Sequence, residues 1–237
     1  SSDDSEEFSA GLDTSPLTQH AWCMPPAPLL EILHTDVSFV VVNKRAGMLS
    51  VPGRGPEKID SVAHRVRQMF PDCIEQPAVH RLDMDTSGLM VVARTEQAHR
   101  ELSRQFQERE TDKRYVALLD GVLDGDSGTI ELPFRLDVEN RPLQIYDDVH
   151  GKLGITHWQK LAIEGNLTRI DLIPVTGRTH QLRLHAAHEK GLGIPIVGDP
   201  FYGNGTGPGQ MKLHACELTF SHPLTGKRLT FLSAAAF

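Results

Sequence analysis

The 237-residue sequence has little of three features that mark large classes of protein. Its only cysteines are Cys23, Cys73 and Cys216, an odd number at no metal-like spacing, which argues against a disulfide framework and for a reducing compartment. No apolar run approaches the roughly 18 residues that span a bilayer, and the first residues, SSDDSEE, lack the basic and apolar segments of a secretory signal. We therefore expect a cytoplasmic protein with no membrane partner.

An excess of basic charge is also missing, since the formal net charge is −7. This balance argues at first against a nucleic-acid partner, because phosphate binding needs Lys and Arg. However, residues 1–14 contain five acidic side chains and no basic one, which leaves a charge of −2 on the remainder. A nearly neutral domain can still carry a basic cleft, so charge alone does not decide the class of ligand.

The chain divides into a leader and one domain. Residues 1–28 are rich in Ser, Asp, Glu and Pro, and they predict a disordered acidic segment with a stiff Pro-containing end. Residues 29–237 have the apolar content and mixed charge of one globular domain, which we expect to act as a monomer.

Strand patterns outnumber helix patterns in this domain. A first helix is predicted at residues 61–69, with Val62, Val66 and Met69 on one face. A second is predicted to begin after a cap at Thr95, and a third lies within residues 180–190 and is ended by Gly191. The other apolar segments follow one another without helical crossovers. This order favours an α+β fold with a mixed, mostly antiparallel sheet flanked by helices.

Several familiar chemistries lack their signatures. The segment NGTGPGQ at residues 204–210 has no following Lys-Ser/Thr and opens no helix, so it predicts a flexible surface loop and not a phosphate site. There is no G-x-S-x-G for a serine nucleophile. Asp83 and Asp85 could form a glycosidase-like pair, but in an extended segment they would lie only about 6 to 7 Å apart. A sugar cleft also normally has more aromatic residues than the 6% present.

The twelve histidines raise the alternative of a metal-dependent hydrolase. His185 and His188 would share a helix face, and Asp199 or His214 could complete a ligand set. His180 would point about 140° away from His185, and the spacing matches no H-E-x-x-H helix. We therefore expect no metal site.

Three segments remain, and they are HRLDMDTSG at residues 80–88, DKRYVALLDG at 112–121, and TGRTHQLRLHAAH at 176–188 followed by IPIVGDPFYG. Their order and wording resemble the RluA family of pseudouridine synthases, whose pattern is H-R-L-D-x-x-T-S-G, K-x-Y, G-R-x-H-Q-L-R-x-H and P-I-x-G-D-x-x-Y. The resemblance extends over about residues 29–237. It implies the pseudouridine synthase fold, isomerisation of specific uridines in structured RNA, and no cofactor.

The resemblance also implies the catalytic residues. Asp83 matches the family's nucleophile, Tyr115 its pocket aromatic, which stacks on the uracil, and Arg183 the ion-pair partner of the nucleophile. The chemistry agrees with these residue types, because breaking the N-glycosidic bond and rejoining the base through C5 needs a covalent catalyst such as a carboxylate. A guanidinium keeps that carboxylate ionised and oriented.

RNA contacts are implied as well. The target base must leave its stack, and Arg81 matches the family residue that takes its place. His80, Arg178 and His180 are expected to bind the flanking backbone or to brace the loop. Further RNA contacts are expected from Lys212, His214 and residues 45–54.

Two departures from the family pattern bear on the target. Arg45 replaces the usual Pro of N-K-P-x-G, and the leader is too short for the S4-type RNA-binding domain of many relatives. The stretches LSVPGR, FQERETDKRYVA and NRPLQ are most similar to the S4-less, dual-specificity subgroup, which acts on a tRNA anticodon loop and a 23S rRNA hairpin. We therefore expect these RNAs as partners. A catalytically inactive RNA-binding protein of the same fold is the main alternative.

Overall fold

The computed structural model describes residues 30–237, so the leader predicted at residues 1–28 lies outside the described residues. Within this range no helix is long and apolar enough to cross a membrane. The strands are β1 (Glu31–Thr35), β2 (Phe39–Lys44), β3 (Ser87–Ala93), β4 (Asp112–Leu119), β5 (Ser127–Leu136), β6 (Gln144–Tyr146), β7 (Lys152–Glu164), β8 (Leu167–Pro174), β9 (Leu213–Ser221) and β10 (Arg228–Leu232). The helices are α1 (Val62–Met69), α2 (Glu96–Gln107) and α3 (Gln181–Ala187), with a 3₁₀ turn at Pro56–Lys58.

The ten strands form one sheet in the order β1-β2-β3-β9-β4-β8-β7-β5-β6, and β10 pairs with β9. The pairings between these strands are antiparallel except for the short contact between β3 and β9. The predicted α+β fold with a mostly antiparallel sheet is confirmed.

The unbroken apolar run of β3 reflects helices on both faces of the sheet. Met90 and Val92 pack with α1, whereas Leu89 and Val91 pack with α2. A strand covered on both faces has no need of polar alternation. This packing holds the segment that precedes β3 against a rigid core.

Gly88 permits the parallel contact between β3 and β9. Its φ is +115°, and a Cβ at this position would lie 2.3 Å from the carbonyl oxygen of Ala215. Only glycine fits such a close approach of two backbones at this φ. β9 therefore lies directly against the start of β3, and it brings β4 close to residues 80–86.

Two helix predictions need correction. Met69 is half exposed and does not join the buried face of α1, which consists of Val62, Ala63 and Val66. The third helix ends at Ala187 and not at Gly191. The chain turns back after Ala187, and a Cβ at Gly191 would lie 2.0 Å from the carbonyl oxygen of His185. Thr95 does cap α2, because its hydroxyl accepts from the Ala98 amide at 3.2 Å.

Candidate active site

A groove of about 1320 Å³ crosses the end of the sheet beside β3, β4 and the loop before α3. This volume exceeds the ~300–1,000 Å³ of small-molecule pockets and suits a stretch of polymer. Seven basic and three acidic side chains line it, although the whole chain is acidic. They are Arg81, Arg109, Lys113, Arg114, Lys152, Arg178, Arg183, Asp83, Asp112 and Glu217.

A guanidinium at the bottom of the groove joins two carboxylates. Arg183 is 2% exposed and binds Asp199 with two hydrogen bonds, Nε to Oδ2 at 2.9 Å and one terminal nitrogen to Oδ1 at 2.7 Å. Its other terminal nitrogen donates to Oδ2 of Asp83 at 3.3 Å. The Asp83 side chain is 27% exposed and lines the groove. Asp199 thus fixes the guanidinium plane that faces Asp83.

The surroundings keep the pair of Arg183 and Asp199 charged. Burial acts to raise the pKa of Asp199, but hydrogen bonds from Arg183 outweigh it and hold that pKa below its usual value. The amides of Phe201 and Tyr202 also donate to Asp199, at 2.9 and 3.2 Å. Burying an ion pair costs free energy unless its remaining lone pairs also accept hydrogen bonds, and here the backbone amides supply them.

Hydrogen bonds hold the backbone on both sides of Asp83. The Ser50 hydroxyl accepts from the amide of Leu82 at 3.0 Å and donates to the carbonyl of the same residue at 2.6 Å. The carbonyl of Met84 accepts from Lys44 Nζ at 2.9 Å and from the Gly47 amide at 2.8 Å. Residues 44–50, part of which was expected to contact RNA, therefore brace the loop that contains Asp83.

Lys44 is the centre of this brace. Its side chain is fully buried, and its ammonium also donates to the carbonyls of Arg45 at 3.1 Å and Met48 at 2.7 Å. Burial lowers the pKa of Lys44 to about 7, while the charges of Asp83 and Asp85 act to raise it. The Arg45 that departs from the family pattern supplies only its carbonyl to this contact.

Tyr115 lies on β4, opposite Ala215 of β9, and lines the same groove. Burial raises the pKa of its phenol, and the charge of Asp83 raises it further. The phenol is therefore protonated near neutral pH. Its hydroxyl makes no hydrogen bond to another residue in the range 30–237, so it is available to a ligand in the groove.

Comparisons with known proteins agree with this geometry. A family model for RNA pseudouridylate synthases matches residues 38–188. The chain is 47% identical over 217 residues to the dual-specificity RNA pseudouridine synthase RluA of Haemophilus influenzae, covering 90% of this chain and 96% of that protein. The chain belongs to the RluA family of pseudouridine synthases.

Other relatives extend this likeness. The protein of the same name from Escherichia coli strain K12 is 43% identical over 217 residues, covering 90% of this chain and 96% of that one. The solved structure of human RNA pseudouridylate synthase domain containing 1 superposes with a TM-score of 0.71 at 30% identity, covering 90% and 87% of the two chains. Pseudouridine synthases are isomerases, so the predicted family, fold and enzyme class are confirmed.

Arg81 is exposed on the rim of the groove of this RluA-family chain. Its side chain makes no hydrogen bond or ion pair with any residue that the structure describes. Arg81 and Asp83 from one motif are thus brought to the same groove as Tyr115 and Arg183, which lie far from them in sequence.

Three other residues predicted near the RNA brace the protein. The His80 ring stacks on Phe106 with centroids 4.2 Å apart, and its Nε2 accepts from the Val91 amide at 3.0 Å. Arg178 donates to the carbonyls of Lys152 and Phe134. His180 is buried and contacts Tyr202 at 2.9 Å. The geometry favours the bracing part of the prediction for His80 and Arg178, and for the Nδ1 side of the His180 ring.

Lys212 and His214 lie outside the groove, and the structure gives no support to their predicted RNA contacts. His214 is 4% exposed, and both ring nitrogens have partners, since Nδ1 contacts Ser87 Oγ at 2.8 Å and Nε2 contacts Ser233 Oγ at 3.0 Å. Lys212 lies with its ammonium 5.7 Å from the centroid of the Phe237 ring. Both residues belong to the segment that positions β9.

The histidines of the hydrolase alternative do not converge. Among residues 30–237 no group of three His, Cys, Asp or Glu side chains could hold a metal ion. His185 contacts Thr156 at 2.9 Å in the core, His188 packs near Tyr146, and Asp199 binds Arg183.

Sequence reasoning missed two contributors to the site. The amide of Gly209 donates to Oδ1 of the buried Asp85 at 2.8 Å, so the Gly-rich loop predicted to be flexible is anchored beside the loop that contains Asp83. Lys113 belongs to the K-x-Y motif, but the motif assigns it no role. Its side chain lines the groove, and a Cβ at Gly177 would lie 2.9 Å from its Nζ. The adjacent basic residues in DKRY are the sequence feature that could have indicated this position of Lys113 in the groove.

Proposed function

We propose that this enzyme isomerises a uridine in a tRNA anticodon loop and in a 23S rRNA hairpin, with Asp83 as the nucleophile. The observation that carries the proposal is the charged pair of Asp83 and Arg183 beside Tyr115, at the bottom of a basic groove too large for a free base. The identity to dual-specificity RNA pseudouridine synthases over 90% of the chain supports the two RNA classes.

The geometry suits the successive steps of the reaction. Asp83 forms a covalent bond to the nucleotide, at uracil C6 or at ribose C1′, and the N1–C1′ bond breaks. The uracil turns in the pocket, C5 bonds to C1′, and the C5 proton leaves as the carboxylate is released. Asp199 holds Arg183 so that the terminal nitrogen not bound to Asp199 donates to Asp83 and orients it. The Tyr115 ring supplies a flat surface for the base.

Base flipping needs a group that fills the space left by the extruded base. The guanidinium of Arg81 lies at the rim without a partner among the described residues, and it suits this role. One chain supplies Asp83, Tyr115, Arg183 and Arg81, so we propose that a monomer is active. We also propose a cytoplasmic location, since RNAs of these two classes are the proposed substrates.

The test uses purified full-length protein with transcripts of the two stem-loops that contain uridine tritiated at C5. We expect tritium release, and pseudouridine at one position by carbodiimide mapping, in buffer that contains a metal chelator. RNA binding without release would instead support the inactive RNA-binding alternative. Release that stops in chelator would support a metal-dependent enzyme. Mapping total tRNA and rRNA from cells that lack the protein then identifies the natural targets.

The unpaired cations of the groove give a separate prediction for RNA affinity. Arg109 and Lys113 make no side-chain hydrogen bond or ion pair in the part of the chain that the structure describes, and burial and the charge of Arg109 lower the pKa of Lys113. An ammonium that is partly desolvated and lacks a carboxylate gains most from a phosphate.

We expect Lys113→Met to weaken RNA binding and to reduce the slope of log K against log salt by about 1, with kcat little changed. Filter binding between 50 and 200 mM salt measures this slope. The matched control is Lys227→Met, an exposed lysine outside the groove. An unchanged salt slope in Lys113→Met would rule out a phosphate contact.

A further inference from the structure

His180 has an unusual backbone conformation beside the active site. Its φ of 56° and ψ of 16° lie in the left-handed region, and among the described non-glycine residues only Arg109 shares a positive φ. Non-glycine residues adopt this conformation rarely, and observed cases gather at functional sites. The conformation directs the imidazole toward Tyr202 and the groove.

Two hydrogen bonds in series assign the tautomer of this imidazole. The amide of Gln144 donates to the Tyr202 hydroxyl oxygen at 2.8 Å, which leaves the phenolic hydrogen free to donate. The Nδ1 of His180 lies 2.9 Å from the same oxygen, which places it to accept that hydrogen. In a neutral imidazole the proton then resides on Nε2.

The Nε2–H is available in the groove. His180 is 8% exposed and lines the groove, and its Nε2 makes no hydrogen bond within residues 30–237. Phe201 and Tyr202 flank the ring, with centroids 5.5 and 5.6 Å away. With no protein partner, this N–H faces the groove, where a ligand acceptor can take the place of water.

The ring is kept neutral by its surroundings. Burial lowers the pKa of His180, and the charge of Arg183 lowers it further. Asp83, Asp85 and Asp199 also face the ring, and their charges act to raise that pKa. The net effect is a lowered pKa, so near neutral pH the imidazole is neutral and has a single N–H donor. Such a donor fits a carbonyl better than a phosphate, for which a cation is the natural partner.

We propose that the Nε2–H of His180 donates a hydrogen bond to a carbonyl oxygen of the target uracil. The proposal rests on the proposed function, in which the uracil enters the groove beside Asp83. When the N1–C1′ bond breaks, negative charge spreads from N1 onto the uracil carbonyl oxygens. A preorganised donor stabilises that charge and holds the ring while it is detached from the ribose.

The kinetic test compares three variants in single-turnover tritium release. His180→Asn keeps a residue that tolerates the left-handed conformation but removes Nε2, and we expect kcat to fall about 10²-fold while RNA affinity changes little. Tyr202→Phe frees Nδ1 for protonation, so the pKa of His180 rises and the acid limb of the rate profile moves to higher pH. His157→Asn, an exposed histidine outside the groove, is the matched control with unchanged rate.

A second readout does not depend on activity. Imidazole ¹⁵N spectra of the wild-type protein are expected to show His180 as the Nε2–H tautomer, with Nε2 shifted by RNA that contains the target uridine. The same RNA with an abasic target position is expected to give no such shift. Equal shifts with both RNAs, or wild-type kcat in His180→Asn, would overturn the proposal. Failure of the wild-type protein to release tritium would overturn the proposed function alone, since the spectra still decide the contact.

Discussion

Asp83→Asn is expected to abolish the conversion of uridine, with single-turnover rates reduced at least about 10⁴-fold. The substitution replaces a carboxylate by an amide of the same shape, which is a far poorer nucleophile. The amide oxygen can still accept from Arg183, so the pocket keeps its form. Because phosphate contacts dominate RNA affinity, the dissociation constant should change little. Tritium release and filter binding on the same RNA separate these two effects.

The matched control for this substitution is Asp112→Asn. Asp112 lines the same groove and is ion-paired to Arg228 at 2.6 Å, away from Arg183. We expect it to retain activity, which would show that a lost negative charge in the groove is not itself harmful. Full activity in Asp83→Asn would exclude Asp83 as the nucleophile, whatever the control shows.

The second large effect is expected at Asp199, which contacts no substrate in the proposed mechanism. Asp199→Asn removes the buried carboxylate that binds Arg183 through two hydrogen bonds, leaves it only the contact with Asp83, and sets an amide N–H₂ against guanidinium donors. Breaking one partner of a buried pair costs about 3–5 kcal/mol. At about 2–4 °C per kcal/mol for a domain of this size, Tm should fall by about 6–20 °C.

Activity should fall in the same variant. Arg183 freed from Asp199 turns toward Asp83 and displaces the nucleophile, and a misplacement of about 1 Å can cost about 10²-fold in rate. The control is Asp171→Asn, which breaks the half-exposed contact of Asp171 with Arg114 at 3.2 Å. That change should cost less than about 1 kcal/mol. Equal losses in the two variants would contradict the buried-pair argument.

The pH dependence of stability gives an independent check on Asp199. Its pKa is lower in the folded chain than in the unfolded one, so its contribution is present above the ordinary Asp pKa of about 3.9. That contribution is lost as the pH falls through the lower folded value. The difference in unfolding free energy between wild type and Asp199→Asn should therefore shrink in acid, as chemical denaturation at several pH values would measure.

Much of the site follows from short motifs, because each motif combines a reactive residue with the turn that presents it. HRLDMDTSG contains both Asp83 and the start of β3, and HQLR places Arg183 on a helix. The resemblance of these motifs to the family pattern predicted which residues meet, since local propensity alone left their roles open. The mostly antiparallel sheet was also predictable, since successive strands lack helical crossovers.

The supports of the site were not predictable in the same way. Lys44 ends a buried strand and looks like an ordinary strand-terminal lysine, and its role depends on the carbonyl of Met84, forty residues away. Gly209 belongs to a loop whose composition predicts freedom, yet its amide meets Asp85. Such contacts are set by how distant loops pack, which local propensity does not encode. His214 shows the opposite case, a residue predicted to contact RNA whose buried ring has protein partners at both nitrogens.

The position of β9 in the sheet has a consequence for synthesis of the enzyme. β9 separates β3, which follows the loop that contains Asp83, from β4, which contains Tyr115, yet β9 begins about 130 residues after Asp83. At about 5–20 residues per second, the ribosome makes Asp83 on the order of 10 s before the strand that aligns it with Tyr115. The groove that contains Asp83, Tyr115 and Arg183 can therefore be complete only after β9 has been synthesised.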